Sequence, residues 1–343
     1  MDCIISIDKQ NRAQNLVNNM TKAIQIHEAG GPEVLRWEDI SVGEPGEGQV
    51  KLRQIACGLN YIDVYGRTGL YPFANYPAVL GMEAVGIVEA LGDGVDSLAI
   101  GDRVAYAMQI GAYAEERLID AKHLIKIPAS ISDQTAAAMM LKGLTAHYLL
   151  HRTYPVQRGD TILVYAAAGG VGLILCQWAH LLGATVIGCV GSEEKAELAK
   201  ENGCDHTILY RNEDIPTRVR ELTQGEGVAV AYDSIGRATF EASLDSLRPF
   251  GVLATYGNAS GKIDPFNPAI LASKGSLYVT RPTLATHVST RELLEEGANR
   301  LIEVVENGSV KIHVNQTFAL ADCAEAHRAL ESRKTTGSTV LKI

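Results

Sequence analysis

The chain has no apolar run approaching the ~18 residues that a helical membrane span requires, which argues against a membrane role. It has no basic block longer than a dipeptide, and its formal net charge is −9 with a pI near 5.5. A protein that tracks a phosphate backbone wants a basic face, so this balance disfavours nucleic acid. None of its six cysteines forms a CxxC pair. Cys3, Cys57, Cys176, Cys189, Cys204 and Cys323 are scattered, mostly in apolar runs, which suits small buried hydrophobes in a reducing, cytoplasmic compartment. No internal repeat or low-complexity tract is visible.

The opening stretch MDCIISIDKQNRAQNLVNNM is polar and rich in Asn. Its IISI run is too short for the apolar core of a signal peptide, and Asp2 and Asp8 argue against a mitochondrial presequence. Residues 1–20 read as a flexible extension, or as an upstream start with Met20 the alternative, and the fold is expected to begin at Thr21.

What is present is a 343-residue chain, 46% hydrophobic and 21% charged, with mean hydropathy +0.03. That is long enough for two domains. From 21 to about 130, short β-like runs alternate with Gly/Pro turns: KAIQIH, VLRWEDI, QVKLRQIACGL, EAVGIVEALG, DRVAY. This predicts a mostly antiparallel β domain. From about 132 to 282, strands alternate with helices: DQTAAAMMLKGLTAHYLLHRT, TILVY, VGLILCQWAHLL, TVIGCV, EEKAELAKEN, HTILY and onward to GVLATYG. That alternation predicts a doubly wound parallel sheet, giving an α/β chain overall. Beyond 283, two helical patterns flank a short strand, KIHVN, and the chain ends in a strand, STVLKI, able to return to the first domain. The expected division is 21–143 with 283–343, and 144–282.

The stretch YAAAGGVGLILCQWAH (165–180) puts the least bulky residues where a strand passes into a helix. Aligned on G-x-G-x-x-G it reads Ala167-Ala168-Gly169-Gly170-Val171-Gly172. Gly169 would let the backbone approach a pyrophosphate, Gly172 would let the helix pack on its strand, and the helix start would face the phosphates. Ala167 replaces the first glycine, which works if its φ stays negative. An NAD site wants an acid at the end of the second strand. Here that end reads Val190-Gly191-Ser192, with Lys195 following, so the expected cofactor is NADPH. The reservation is Glu193 and Glu194, should either point inward. The competing reading makes Lys195 a solvated helix residue.

The chain from about 21 to 343 resembles the zinc-free quinone oxidoreductase (zeta-crystallin-like) branch of the medium-chain dehydrogenase/reductases. The resemblance rests on Gly159-Asp160, Leu163, Ala167 to Gly170, Gly172 and Gln177. Further matches are CGLNYIDVYGRTGLYP, LGMEAVGIVEALG, GDRVAY, LKGLTAHYLL, YDSIGR, GSLYVTRP and ESRKTTGS. It departs at His180, where the family carries Lys or Arg. It implies a GroES-like β domain plus a Rossmann domain, with hydride transfer from NADPH to a quinone in an interdomain cleft. Zinc-dependent relatives carry Cys and His where this chain has Asn60 and Met82. Glu83 alone remains, so the resemblance implies no metal. His147 and His151 form an i, i+4 pair without a third ligand. Asn60, Tyr65 and Arg281 match nicotinamide-lining positions and are the candidate catalytic residues. Structural alternatives are a core aromatic at Tyr65 and a hinge ion pair at Arg281, and Tyr61 could turn away. Cofactor contacts carried over are Asn60, Tyr65, Thr145, Tyr148, Ala168, Gly169, Gly170, Val171, Gly191, Ser192, Lys195, Tyr210, Ser234, Tyr256, Gly257, Asn258 and Arg333. A homodimer through the edge strand in GSLYVTRP is implied as well. The competing functions are an NADPH-dependent alkenal/enone reductase, and a non-catalytic crystallin-like or RNA-binding role.

Overall fold

A computed structural model describes residues 20–343. The extension expected at the N-terminus lies outside them, apart from Met20. Among the described residues no helix is long and apolar enough to cross a membrane. The chain divides into two compact units.

The first unit holds the described residues to Met140, Thr317–Lys334 and Thr339–Ile343. It is built on the long strand Gln49–Leu59, which pairs antiparallel with Glu83–Leu91, with Glu116–Asp120 and with residues 339–342. The chain end pairs with the central strand of this unit. Register shifts near Leu52 and Ala56 bend the central strand. A second, small sheet pairs Met20–Ile26 with Arg36–Ser41 and Ala78–Val79. Ile24, Leu52, Leu59, Leu80, Tyr106, Tyr113 and Leu341 form the core. A helix not expected from periodicity, Tyr61–Arg67, follows the central strand. Its signal is local: Asn60 N–H donates to the Asp63 carboxylate at 2.8 Å, the backward half of a capping box.

The second unit holds Leu141–Gln316 and Thr335–Ser338. Its six strands run in the order His206–Leu209, Thr185–Val190, Thr161–Tyr165, Val228–Asp233, Leu247–Thr255, Tyr278–Thr280, all parallel. That is the Rossmann order, with its reversal at the strand Thr161–Tyr165. The central strand Val228–Asp233 is buried throughout, as a strand covered on both faces must be. The helix Asp133–Tyr148 continues into a π-helical turn, Leu149–Thr153.

The expected division fails for 283–316, which belongs to the second unit. Glycine contact is the reason. A Cβ on Gly143 would lie 2.4 Å from Leu301 Cδ1, and one on Gly297 would lie 2.9 Å from Leu144 Cδ2. The helix Arg291–Glu306 therefore presses onto 141–147 and buries Leu294, Ala298 and Leu301. The strand expected over KIHVN starts later, at Val314–Ala319.

Candidate active site

In the second unit the strand Thr161–Tyr165 leads into the glycine turn and the helix Gly170–Leu182. The left-handed residue of the turn is Ala166, at φ 50°, one place before the position that the motif singles out; Ala167 keeps a negative φ. Ala166 O accepts from Gly169 N–H at 2.8 Å and closes the turn. A Cβ on Gly172 would meet Ala166 O at 2.2 Å and Ala167 Cα at 2.8 Å, so only glycine lets the helix sit there. Gly169 is the N-cap and offers no side chain to the first-turn N–H groups, which is the geometry of an anion site.

Two flanking features were not read from the sequence. The buried Lys142 lays its side chain against Gly170, where a Cβ would meet Lys142 Cδ at 2.7 Å. The returning segment 335–338 runs alongside, with Gly337 N–H donating to Ala168 O at 2.9 Å. A lysine inside the apolar run AAAMMLKGL was the available signal for the first. The second joins residues too far apart in sequence for any local pattern to show.

The second strand ends on Gly191 and Ser192. A Cβ on Gly191 would lie 2.7 Å from the Tyr210 hydroxyl, so this glycine makes room for Tyr210. Ser192 caps the helix Glu193–Glu201 by accepting from Lys195 N–H. Glu193 and Glu194 are exposed, and a hydrogen bond with Ser192 lowers the Glu194 pKa. Lys195 is half-buried, and burial followed by the neighbouring Arg211 charge lowers its pKa. Arg211 is thus a second cation at this strand end, next to the Tyr210 that the resemblance singled out.

Beyond the fourth strand, Asp233 orders the turn that carries Ser234. It accepts from Ile235 N–H, Gly236 N–H, Thr239 Oγ1 and Ser243 Oγ, and burial raises its pKa. Gly257 packs on this turn so closely that a Cβ would lie 2.2 Å from Ser234 O. Burial pushes the neighbouring Tyr256 phenol up, while its hydrogen bond with Ser234 acts the other way. Asn258 follows, its Cα 3.4 Å from where a Cβ on Gly236 would be. Arg281 donates to Thr255 O at 2.7 Å. Tyr148 stacks on His287 with centroids 4.3 Å apart and planes 1° from parallel. Arg152 holds His287 by its carbonyl and reaches Glu296. Thr145 is buried and donates to Leu141 O. Arg152, Arg281 and His287 also line a groove of about 560 Å³ along the edge strand.

In the first unit, Asn60 and Tyr65 are both buried at the Tyr61–Arg67 helix. Asn60 Nδ2 donates to Glu83 Oε2 at 2.9 Å and to Gly58 O at 3.2 Å. Its amide thus ties the buried Glu83 carboxylate to the end of the central strand, while its backbone N–H caps the helix through Asp63. Tyr65 packs edge-on against Tyr71. The Tyr61 hydroxyl donates to Leu330 O and lies beside the Arg333 charge. Arg333 has a left-handed backbone at φ 60°. Asn60, Met82 and Glu83 make a poor zinc set, one amide, one thioether and one carboxylate, with the amide and the carboxylate already bonded to each other. Among the described residues no group of three His, Cys, Asp or Glu side chains is placed to hold a metal ion. His147, buried, and His151, half-buried, both pack against Trp178.

Known proteins carry the same arrangement. Residues 46–129 match the alcohol dehydrogenase GroES-like domain, and 170–299 match the zinc-binding dehydrogenase family. The quinone oxidoreductase of Pseudomonas aeruginosa is 50% identical over 323 residues, 94% of this chain and 99% of that one. The chain belongs to the quinone oxidoreductase family. The crystal structure of Escherichia coli quinone oxidoreductase complexed with NADPH superposes with TM-score 0.92 at 46% identity, covering 94% of this chain and 100% of that one. A 2-haloacrylate reductase from Burkholderia is 47% identical over 94% of this chain and 99% of its own. The zinc-binding name belongs to the broader family, and the donor set at Asn60, Met82 and Glu83 does not fit zinc.

Proposed function

We propose that this quinone oxidoreductase family member is an NADPH-dependent quinone reductase that works without zinc. The observation carrying the cofactor choice is the second strand end, where Gly191, Ser192, Lys195, Tyr210 and Arg211 stand and the strand itself ends on no acid. When bound, NADPH supplies a hydride. The turn Ala168-Gly169-Gly170-Val171 would hold its pyrophosphate through backbone N–H groups, with Lys142 alongside. Lys195, with Arg211 beside it, would take the 2′-phosphate and Tyr210 the adenosine. Ser234, Tyr256, Gly257, Asn258, Thr145 and Tyr148 would hold the nicotinamide half, and Arg333 would add a further contact.

A quinone accepts hydride readily because the oxyanion formed is a stabilised phenolate, so no Lewis acid is needed. Tyr65 and Arg281 would donate to that developing charge, and Asn60 would hold the helix that carries Tyr65. We also propose a homodimer formed by pairing the edge strand Tyr278–Thr280 with its own copy.

Steady-state rates with NADPH and NADH over a panel of quinones and activated alkenes test the function. NADPH with 1,4-benzoquinone should be the best pair. Faster turnover of a 2-alkenal would make the protein a double-bond reductase instead.

A further inference from the structure

Cys176 and Cys204 lie in the second unit with their sulfurs 3.3 Å apart, both buried and unbridged. Cys176 is on the helix that leaves the glycine turn, and Cys204 follows the next helix. Their backbones are held close by Gly203, at φ 91°, where a Cβ would lie 2.9 Å from Cys176 O. Only glycine permits that approach. A disulfide has an S–S bond of ~2.05 Å, so the pair needs to close by little more than an ångström. The Cys204 sulfur also fills the space over Gly188, 2.6 Å from where that residue's Cβ would be. Ala167 Cβ lies 2.8 Å from the same point. Cys204 therefore packs behind the turn that carries Gly169.

We propose that Cys176 and Cys204 are a modification site, a dithiol that a small hydroperoxide converts reversibly to a disulfide and that thereby loosens the glycine turn. The peroxide takes two electrons from the Cys204 thiol, giving a sulfenic acid and one molecule of water or alcohol. The Cys176 sulfur then attacks the sulfenic sulfur, the S–S bond forms, and a second water leaves with the Cys176 proton. Overall two thiols lose two electrons and two protons, and one peroxide O–O bond is cleaved. A dithiol reductant reverses the change by exchange. Cys204 is the point of entry because it is 5% exposed, whereas Cys176 is fully buried. The hydrogen bond with Cys204 and then burial keep Cys176 protonated until the second step. Closing the bridge draws the Cys204 sulfur off Gly188 and leaves Ala167 without its backing, which lowers affinity for NADPH. That last link rests on the cofactor reading above; the bridge itself does not.

The full chain is treated with hydrogen peroxide, alkylated under denaturing conditions and mapped by mass spectrometry without reduction. The expected product joins the peptides carrying Cys176 and Cys204, and dithiothreitol abolishes it. NADPH affinity, read by nicotinamide fluorescence, should fall several-fold on oxidation and recover on reduction. C176A should retain the reduced affinity and lose the response, whereas C204A, which itself removes the sulfur over Gly188, should bind as weakly as the oxidised protein and show no further change. Free thiols at 176 and 204 after oxidation, or a bridge from Cys204 to Cys189, would overturn the site. A bridge that leaves NADPH affinity unchanged would overturn the coupling. If the reduced protein binds no NADPH, the cofactor reading fails while the mapping still decides the bridge.

Discussion

Lys195 and His327 show how single side chains commit the protein electrostatically. Lys195, proposed to take the 2′-phosphate, has Ser192 capping its helix and the Arg211 charge beside it. Lys195→Ala should raise the KM for NADPH by the equivalent of ~1.5–3 kcal/mol and leave that for NADH nearly unchanged. Equal losses with both cofactors would make the lysine structural. His327, in the other unit, is buried with Arg67 Nη1 3.0 Å from its Nδ1. A guanidinium only donates, so Nδ1 accepts and the ring is neutral. Burial, then the Arg67 charge, lower the His327 pKa from 6.5 to about 3. Below pH 6.5 the unfolded chain binds a proton that the folded chain refuses. The stability present above that pH is therefore lost as pH falls toward the folded value, at about 1.4 kcal/mol per unit. His147 acts in the same direction, its pKa lowered to about 4 by burial and then by His151. His327→Gln should flatten the fall of the urea midpoint between pH 7 and 4. An unchanged slope would show that other groups carry it.

The glycine turn and the elements around it divide folding from binding. Gly172 meets backbone on its own strand's exit, and backbone cannot yield. Gly172→Ala should lower stability by roughly 1–3 kcal/mol, read in the thermal midpoint. Gly169, at φ −84°, has Ala166 O 3.1 Å from its Cβ position, so a methyl group fits with a small shift. Gly169→Ala should keep the midpoint within a degree or two and weaken NADPH binding. If both variants behave alike, the turn has one role rather than two. The same division explains what periodicity found. The Rossmann strands and helices were legible because short continuous apolar runs alternate with segments of helical spacing. The Tyr61–Arg67 helix was not, being too short for a period and set by its cap.

The whole molecule carries an exposed sheet edge. Tyr278–Thr280 is the last strand of the parallel sheet, Tyr278 is 60% exposed, and Phe250 nearby is 68% exposed. An unpaired edge invites pairing, and a two-fold axis satisfies both copies at once. Sedimentation equilibrium at micromolar concentration should give a dimer, and Tyr278→Pro a monomer. A dimer untouched by that substitution would place the interface elsewhere. The sequence alone determined the two-domain composition, the strand–helix alternation of a parallel sheet, the glycine turn and the residues that stand at the zinc-donor positions. All of these are set by residues close together in the chain or by side-chain chemistry. Tertiary structure decided the membership of 283–316, the approach of Lys142 and Gly337 to the turn, Arg211 beside Lys195 and the meeting of Cys176 with Cys204. Each joins residues that no local pattern links, because the contact is made by packing, and packing depends on the space that distant glycines leave open.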